Sequence, residues 1–500
     1  MKRIGLVFII LLVASIAKAQ DAADVLRLSQ NHLYGTSRYV GMGGAFGALG
    51  ADFTSLSYNP AGLGVYRSSE FTITPTLKSR LDNTNYLNSP FEDKRTRVMF
   101  DNLGIVGSYR FSQGEDELGL VMLNFGVGYN RVNDFYGETT ALGRNTNNSI
   151  MDHFASQAQG VYFEDLTIPD DDNFYFNTLA PWDAILAWNN FLIDTVPGNP
   201  TSYWAALNDG DGVNQDQTLS TIGGIGEYTF SIGGNVSNKF YFGATLGIQN
   251  VYFKQKIFYS ESALSSNQLL PNGDLFRSMY YNQTLTVEGY GLNFKVGAIY
   301  RPIPELRLGI AAHTPTFYDL SERYYAVMGS DFLLGLTNEE SPLNAYDYKI
   351  ETPFKLIVST AYTFGKVGLL SIDYEYVDYS TMRFGKGGDG YRFTNENATI
   401  RSEFSNTFNL RAGGEVWVGK MALRGGYAYY GSPYASGSPY ASSHTNIFSG
   451  GFGFRINSLF LDWAYQRLQL SDKYSPYPGA PIVNRDVAQN RFMMTVGYKF

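Results

Sequence analysis

The stretch that decides the reading is Tyr39-Val40-Gly41-Met42-Gly43-Gly44-Ala45-Phe46-Gly47-Ala48-Leu49-Gly50-Ala51-Asp52-Phe53-Thr54-Ser55-Leu56-Ser57-Tyr58-Asn59-Pro60-Ala61-Gly62-Leu63. Gly41, Gly43, Gly44, Gly47 and Gly50 stand among small apolar residues, so the backbone here can lie close against another surface. Asn59-Pro60 is a turn signal, because Asn bonds its own backbone and Pro fixes φ. The segment is too short and too glycine-rich to be a domain, and the chain beyond Leu63 reads as β-strand. The predicted arrangement is a small plug with a barrel built around it.

The residues before the plug read as an export signal. Lys2 and Arg3 precede an apolar run from Ile4 to Ile16, and Ala17-Lys18-Ala19 is a small-x-small cleavage pattern. Residues 1–19 are therefore expected to be removed, leaving 20–66 as plug and 67–500 as barrel. The 500 residues are 17% charged and 16% aromatic, with 53 Gly, and no later apolar run approaches the ~18 residues of a membrane helix. Few charges, many aromatics and no membrane helix point to an outer-membrane β-barrel. Composition alone also admits a secreted β-sandwich or propeller. Cys is absent, and a closed barrel, having no free sheet edge, needs no disulfide staples. A net charge of −8 argues against nucleic acid as a partner.

Alternation and turn signals mark strands at 68–80, 98–112, 117–132, 221–236, 239–260, 279–301, 305–324, 345–364, 367–384, 403–418, 420–431, 446–457, 459–470 and 490–500. That is about fourteen antiparallel strands, an even number, as bacterial barrels have. The connections alternate in length. Short ones fall at 113–116, 237–238, 302–304, 365–366, 419–420 and 457–458. Long ones fall at 81–97, 133–220, 261–278, 325–344, 385–402, 432–445 and 471–489. Short periplasmic turns and long outer loops produce this asymmetry, and it predicts both termini on the periplasmic side. The faces sort as well. Phe240, Phe242, Leu246 and Ile248 alternate with Tyr241, Thr245 and Gln249. Leu370, Ile372, Tyr374 and Tyr376 alternate with Ser371, Asp373 and Glu375, and Leu461 and Trp463 alternate with Asp462 and Ala464. The first set of each is expected to face lipid and the second the lumen.

Gly41-Met42-Gly43-Gly44-Ala45-Phe46, then Ala51-Asp52, then Tyr58-Asn59-Pro60-Ala61-Gly62-Leu63 resembles the N-terminal hatch of the FadL/OmpP1/TodX family of outer-membrane channels for hydrophobic compounds. Phe53 departs from that pattern, where the family often carries an acidic or small residue. The likeness extends to Val296–Pro302 with Arg307–Ala311 and Thr314-Pro315, and to Glu351-Thr352-Pro353 with Asp373-Tyr374-Glu375. At the C-terminus, Phe492, Met494, Val496, Tyr498 and Phe500 share one face. A terminal Phe resembles the signal read by the barrel-assembly machinery.

The resemblance implies a passive, plug-gated channel for hydrophobic small molecules of the fatty-acid or aromatic-hydrocarbon type, set in outer-membrane lipid. No cofactor, metal or catalytic residue is expected. It implies a kink in the third strand that opens a lateral exit. Gly126 and Gly128 are the candidates for it, the alternative being that they make room for the plug. The long 133–220 loop holds two candidate helices, 149–159 and 181–194. Trp182, Trp188 and Phe191 make the second one apolar, either as a cap that captures cargo or as a self-packed loop. Two other classes stay open: a haem receptor, weakened by only four His, and an outer-membrane lipase or protease, for which no motif stands out. Asp209, Asp211, Asn214 and Asp216 could hold Ca²⁺, though the spacing matches no known loop; a solvated acidic loop is the plainer reading.

Overall fold

A computed structural model describes residues 22–111, 118–168, 176, 180–207, 211–264, 270, 274–438 and 440–500. The expected export signal, the 113–116 turn and Asp209 lie outside the described residues.

The N-terminal segment is a string of short turns held by side-chain caps. Helix α1 (Ala22–Ser29) is followed by α2 (Ser37–Gly41), whose first turn is capped by the Thr36 hydroxyl on Tyr39 N. The Asp52 carboxylate accepts from Thr54 N at 2.9 Å and starts a 3₁₀ turn, Phe53–Ser57. Asn59 Oδ1 accepts from Ala61 N at 3.1 Å and starts a second, Pro60–Val65, with Pro60 in the first position where no N–H is missed.

The wall begins with β1 (Glu70–Tyr86) and β2 (Ser89–Arg110), joined by a two-residue turn at Leu87-Asn88. Both turn residues have positive φ, 51° and 64°, the primed geometry that matches strand twist. Strand β3 (Leu120–Asp134) breaks at Phe135-Tyr136 and resumes as β4 (Gly137–Asn145). A cap comes next, made of α3 (Ile150–Ala158), α4 (Trp182–Asn189) and the hairpin β5 (Ile193–Val196) and β6 (Asn199–Ala205). Then come β7 (Val213–Val236), β8 (Phe240–Ala263) and β9 (Phe276–Tyr300). Strands β10 (Leu306–His313) and β11 (Phe317–Phe332) form one stave interrupted at Pro315, with β12 (Gly335–Glu340) folded back on β11. Strands β13 (Asn344–Glu351) and β14 (Lys355–Phe364) form the next, interrupted at Pro353. Strands β15 (Gly368–Asp378) and β16 (Arg383–Gly387) are parted by a 3₁₀ turn at Tyr379–Thr381. After α5 (Thr394–Glu403) come β17 (Asn406–Val418), β18 (Met421–Tyr430), β19 (Thr445–Ile456), β20 (Leu459–Tyr474) and β21 (Val483–Lys499). β21 pairs with β1 from Glu70↔Lys499 to Asn85↔Asn484 and closes an antiparallel barrel of 14 staves.

The faces sort as expected. Phe240, Phe242, Leu246, Leu370, Ile372, Tyr374 and Tyr376 are exposed on the outside, while Tyr241, Thr245, Gln249, Ser371, Asp373, Glu375 and Asp462 are buried in the lumen. A lipid-facing apolar band with a polar lumen is the pattern of a barrel that spans a membrane.

Three expectations are corrected. The 81–97 and 325–344 segments are β-structure, not loops: the β1–β2 and β11–β12 hairpins run through them. The 24 residues of β7 span about 60 Å along the axis at a tilt of ~40°, well beyond a ~25 Å apolar band. Strand segments outside the lipid have no lipid-facing side, so no apolar alternation announces them. The chain after Leu63 is also not purely β. Besides the two cap helices, α5 forms from Thr394-Asn395-Glu396-Asn397-Ala398-Thr399-Ile400-Arg401-Ser402-Glu403, in which only Ile400 is buried and no apolar stripe exists to reveal it. Finally, the last strand ends at the short-turn end, but the first described helix does not start there. Ala22, Ala23 and Leu26 of α1 share a cavity with Glu396 and Glu403 of α5, among the long loops. The plug therefore enters from the loop end of the lumen and descends to Glu70.

Candidate functional site

The plug meets the wall backbone to backbone, and glycine makes this possible. Gly43 (φ +63°) faces β17 and β18, where a Cβ would come within 2.7 Å of Tyr427 N. The wall contributes its own glycines: a Cβ on Gly413 would run into Met42 O, and one on Gly426 into Gly43 N. Gly309 gives the same room to Gly47, Gly243 to Pro60 and Gly297 to Asn59. Gly44 (φ +76°) is hemmed by Leu33, whereas Gly41 makes ordinary contacts at 3.6–3.7 Å with Gly451, Ala464 and Arg424. Asn59 and Pro60 are buried; Asn59 Nδ2 donates to Gly47 O at 2.5 Å and ties the turn back to the glycine-rich run. Phe53, where the family pattern is broken, is buried against Gly104 and Gly128 of the wall.

Polar side chains of the lumen then fasten the plug's main chain. Asp373 Oδ2 accepts from Phe46 N at 3.0 Å and Gly47 N at 2.9 Å. Arg307 donates to Leu49 O at 2.7 Å, Arg491 and Gln466 donate to Leu33 O at 2.7 and 3.1 Å, and Ser37 N donates to Thr495 at 2.7 Å. Arg38 of the plug lies 3.1 Å from Glu415, which also takes Arg424 at 2.6 Å; Arg424 in turn holds Asp462 at 2.6 Å. Buried charges survive only when paired in this way. Within the plug, burial raises the Asp52 carboxyl even though the Thr36 hydroxyl donates to it. A cavity of about 50 Å³ remains between plug and wall, lined by Tyr58, Lys295, His313 and Lys355 among others. The charge pairs Lys295–Glu227 (2.5 Å) and Arg411–Glu375 (2.6 Å) border it, so it is polar.

One edge of the wall has no main-chain partner among the described residues. β2 pairs with β3 only from Asn102↔Asn130 to Arg110↔Met122, and β4 pairs only with β7. The Ser89–Asp101 half of β2 therefore faces β4 without a ladder. Side chains bridge the seam: Asp93 accepts from Thr140 N at 2.6 Å, Arg95 pairs with Glu138, and Arg97 and Lys78 both pair with Asp134. Leu77, Val98 and Phe100 are exposed beside its lower end, Val98 at 71%. Gly126 and Gly128 lie below it and do not form the seam. Gly126 pairs with Val106 and Ser231, and Gly128 with Gly104 and Thr229. A Cβ on Gly126 would meet Leu56 of the plug at 3.0 Å, and one on Gly128 would meet Phe53 at 2.5 Å. The two glycines make room for the plug, and the break in the third stave falls seven residues further on, at Phe135-Tyr136.

The 133–220 region packs on itself and on the wall. Ser149 caps α3 in a reciprocal box with Asp152, and Ile185 and Leu186 of α4 are buried with Phe154, Tyr281 and Met328. Trp182 and Trp188 are half-buried, their Nε1 atoms donating to Phe176 O at 2.8 Å and Thr167 Oγ1 at 2.9 Å. Only Phe191 of the three candidates is open, 65% exposed at φ 57°. Burial raises the Asp183 carboxyl, which accepts from Tyr281 at 2.5 Å. Phe500 is 64% exposed on the lipid side beside Tyr498, and its N–H donates to Ser69 O at 3.0 Å. Of the oxygen-rich run, Asn214 and Asp216 sit in β7, and no group of three or more metal-ligating side chains occurs among the described residues.

Fold and site define a closed, 14-stave transmembrane β-barrel whose lumen holds an N-terminal plug. No protein-family model and no curated protein sequence matches the chain. Solved structures do. A FadL homologue from Pseudomonas aeruginosa superposes at TM-score 0.55 with 14% identity, over 94% of this chain and 99% of that one. The Pseudomonas putida toluene transporter TodX superposes at 0.51 with 12% identity, over 94% and 100%. The chain thus has the FadL/TodX fold, as its hatch-like stretch led one to expect.

Proposed function

We propose that the protein is a passive outer-membrane channel that takes up hydrophobic small molecules, with the plug as gate and the exit through the barrel wall. The carrying observation is the unladdered seam between β2 and β4, at the outer edge of the apolar band. The plug occupies the lumen and the cavity beside it is polar, so a straight path through would force apolar cargo into a charged, wet passage, at ~25 cal/mol for each Å² of apolar surface left in water. A sideways step into lipid avoids this. The seam is held by ion pairs and one main-chain bond to Asp93, which can part and re-form without unzipping a ladder. Gating would consist of local shifts of the plug, since its many main-chain anchors oppose wholesale ejection.

The test uses the absence of cysteine. Asp93→Cys with Thr140→Cys places two thiols across the seam. Cells making this variant are given labelled oleate and labelled toluene under oxidising and reducing conditions. Uptake should fall several-fold when the thiols are joined and return on reduction, at constant folded barrel. Uptake that survives the closed disulfide would remove the lateral exit from the reading; no uptake of either compound by the unmodified protein would remove the channel reading itself.

A further inference from the structure

Lys355 is a lumen cation that the fold buries without a carboxylate of its own. It opens β14 just after the break at Pro353 and is 8% exposed. Opposite it on β10 stands His313, whose Nε2 donates to Tyr58 O of the plug at 2.7 Å. The neighbouring stave is broken at Pro315, and Thr316, Thr352 and Pro353 beside the two breaks line the cavity of about 50 Å³ between plug and wall. Four cations border that cavity, Arg131, Lys295, Lys355 and Arg411, against two carboxylates, Glu227 and Glu375. Both carboxylates are already taken. Glu227 accepts from Lys295 at 2.5 Å, Gln249 at 2.8 Å and Asn293 at 3.3 Å. Glu375 accepts from Arg411 at 2.6 Å and Asn409 at 2.8 Å. Arg131 leans on Asp101 at 3.5 Å. Among the described residues Lys355 makes no ion pair, and its hydrogen bond to Ser29 O is stretched to 3.5 Å. Arg411 Nε is likewise buried with no hydrogen-bond partner among them.

From this surplus of charge we infer that the cavity holds one small inorganic anion of the halide class, bound by Lys355 Nζ and Arg411 Nε, and that this anion latches the plug. A charge taken out of water without a partner leaves its desolvation uncompensated, and an anion between the two donors supplies the partner. Bonds from a charged N–H to an anion are also the strong kind. The size selects the ligand. At ~15 Å³ for each water-sized particle, the space admits about three, which suits a halide and its water and excludes an alkyl chain or a ring. Ser29, Tyr34, Ser57 and Tyr58 of the plug form part of the lining, so the site is enclosed only while the plug is seated. With the anion bound, the charge under the plug is neutralised. Without it, that charge draws water inward and favours a lifted plug.

The probe is bromide, which stands in for chloride and is located by its anomalous scattering. Crystals of the purified barrel with its plug, grown in sodium bromide, should show one anomalous peak in contact with Lys355 Nζ. Lys355→Met keeps the side-chain length, removes the charge and should lose the peak, while the barrel retains its heat-modifiable shift. Hydrogen exchange reads the latch in solution. At constant ionic strength, chloride at about ten times its Kd should slow exchange of the plug amides around residues 29–34 and 54–58 roughly tenfold relative to gluconate, which is too large for the cavity. The Lys355→Met protein should exchange alike in both salts. No bromide at Lys355 in the parent protein, bromide retained in the variant, or equal exchange of the parent in the two salts would each overturn the latch. Neither measurement involves apolar cargo, so the channel reading stands or falls apart from this one.

Discussion

Asp373 is where the glycine-rich stretch is tied to the wall, and its removal should loosen the plug. Oδ2 accepts two main-chain N–H groups, from Phe46 and Gly47, at 3.0 and 2.9 Å, and the residue is about 1% exposed. Hydrogen bonds to a charged acceptor are worth roughly 1.5–3 kcal/mol each, and orphaning a buried donor costs about 1–3 kcal/mol. Asp373→Ala removes both bonds but also relieves the cost of burying a carboxylate, so the net loss of plug retention should be about 3 kcal/mol. At ~1.4 kcal/mol per tenfold, the plug should leave its seat on the order of a hundred times more often. Asp373→Asn keeps one acceptor oxygen and should lose a fraction of that. Planar-bilayer recordings read the effect directly: brief openings should become frequent in the Ala variant and intermediate in the Asn variant, with the barrel still folded. If the Ala variant opens no more often than the parent protein, Phe46 and Gly47 are not held in place by Asp373 and the fastening argument fails.

Gly426→Val puts a branched side chain where Gly43 N lies, and it should give a folded barrel whose plug cannot seat. Steady conductance above that of the parent, with unchanged heat-modifiable mobility, is the expected result; parental conductance would show that the plug can shift to accommodate it. Phe500 closes the lipid-facing set of the last strand at 64% exposure. Its deletion should lower the folded fraction in outer membranes at native expression, measured by heat-modifiable mobility, with little effect on barrels refolded in detergent. Equal loss in both settings would assign Phe500 to barrel stability rather than to assembly.

The barrel class and the inside–outside sorting of strands such as 239–250 and 367–376 were legible because each follows from a local pattern, a period of two set by the strand itself. The plug stretch was legible for the same reason, its glycines and Asn59-Pro60 being features of backbone chemistry. Lumen charges such as Asp373, Glu375 and Asp462 could be placed on the inner face by that period, but not matched with Phe46 N, Arg411 or Arg424, since partners 36 to 327 residues apart leave no mark in one sequence. Gly413 and Gly426 looked like ordinary strand glycines until the fold laid Met42 and Gly43 on them. Strand ends beyond the membrane were lost because water on both sides erases the alternation. The third-stave break was expected at Gly126 and Gly128 from the family likeness; in the fold β3 parts from β2 after Asn130 and the stave is interrupted at Phe135-Tyr136, and nothing local signals either place. Local chemistry is written residue by residue; which backbones come to touch is decided by closing the barrel.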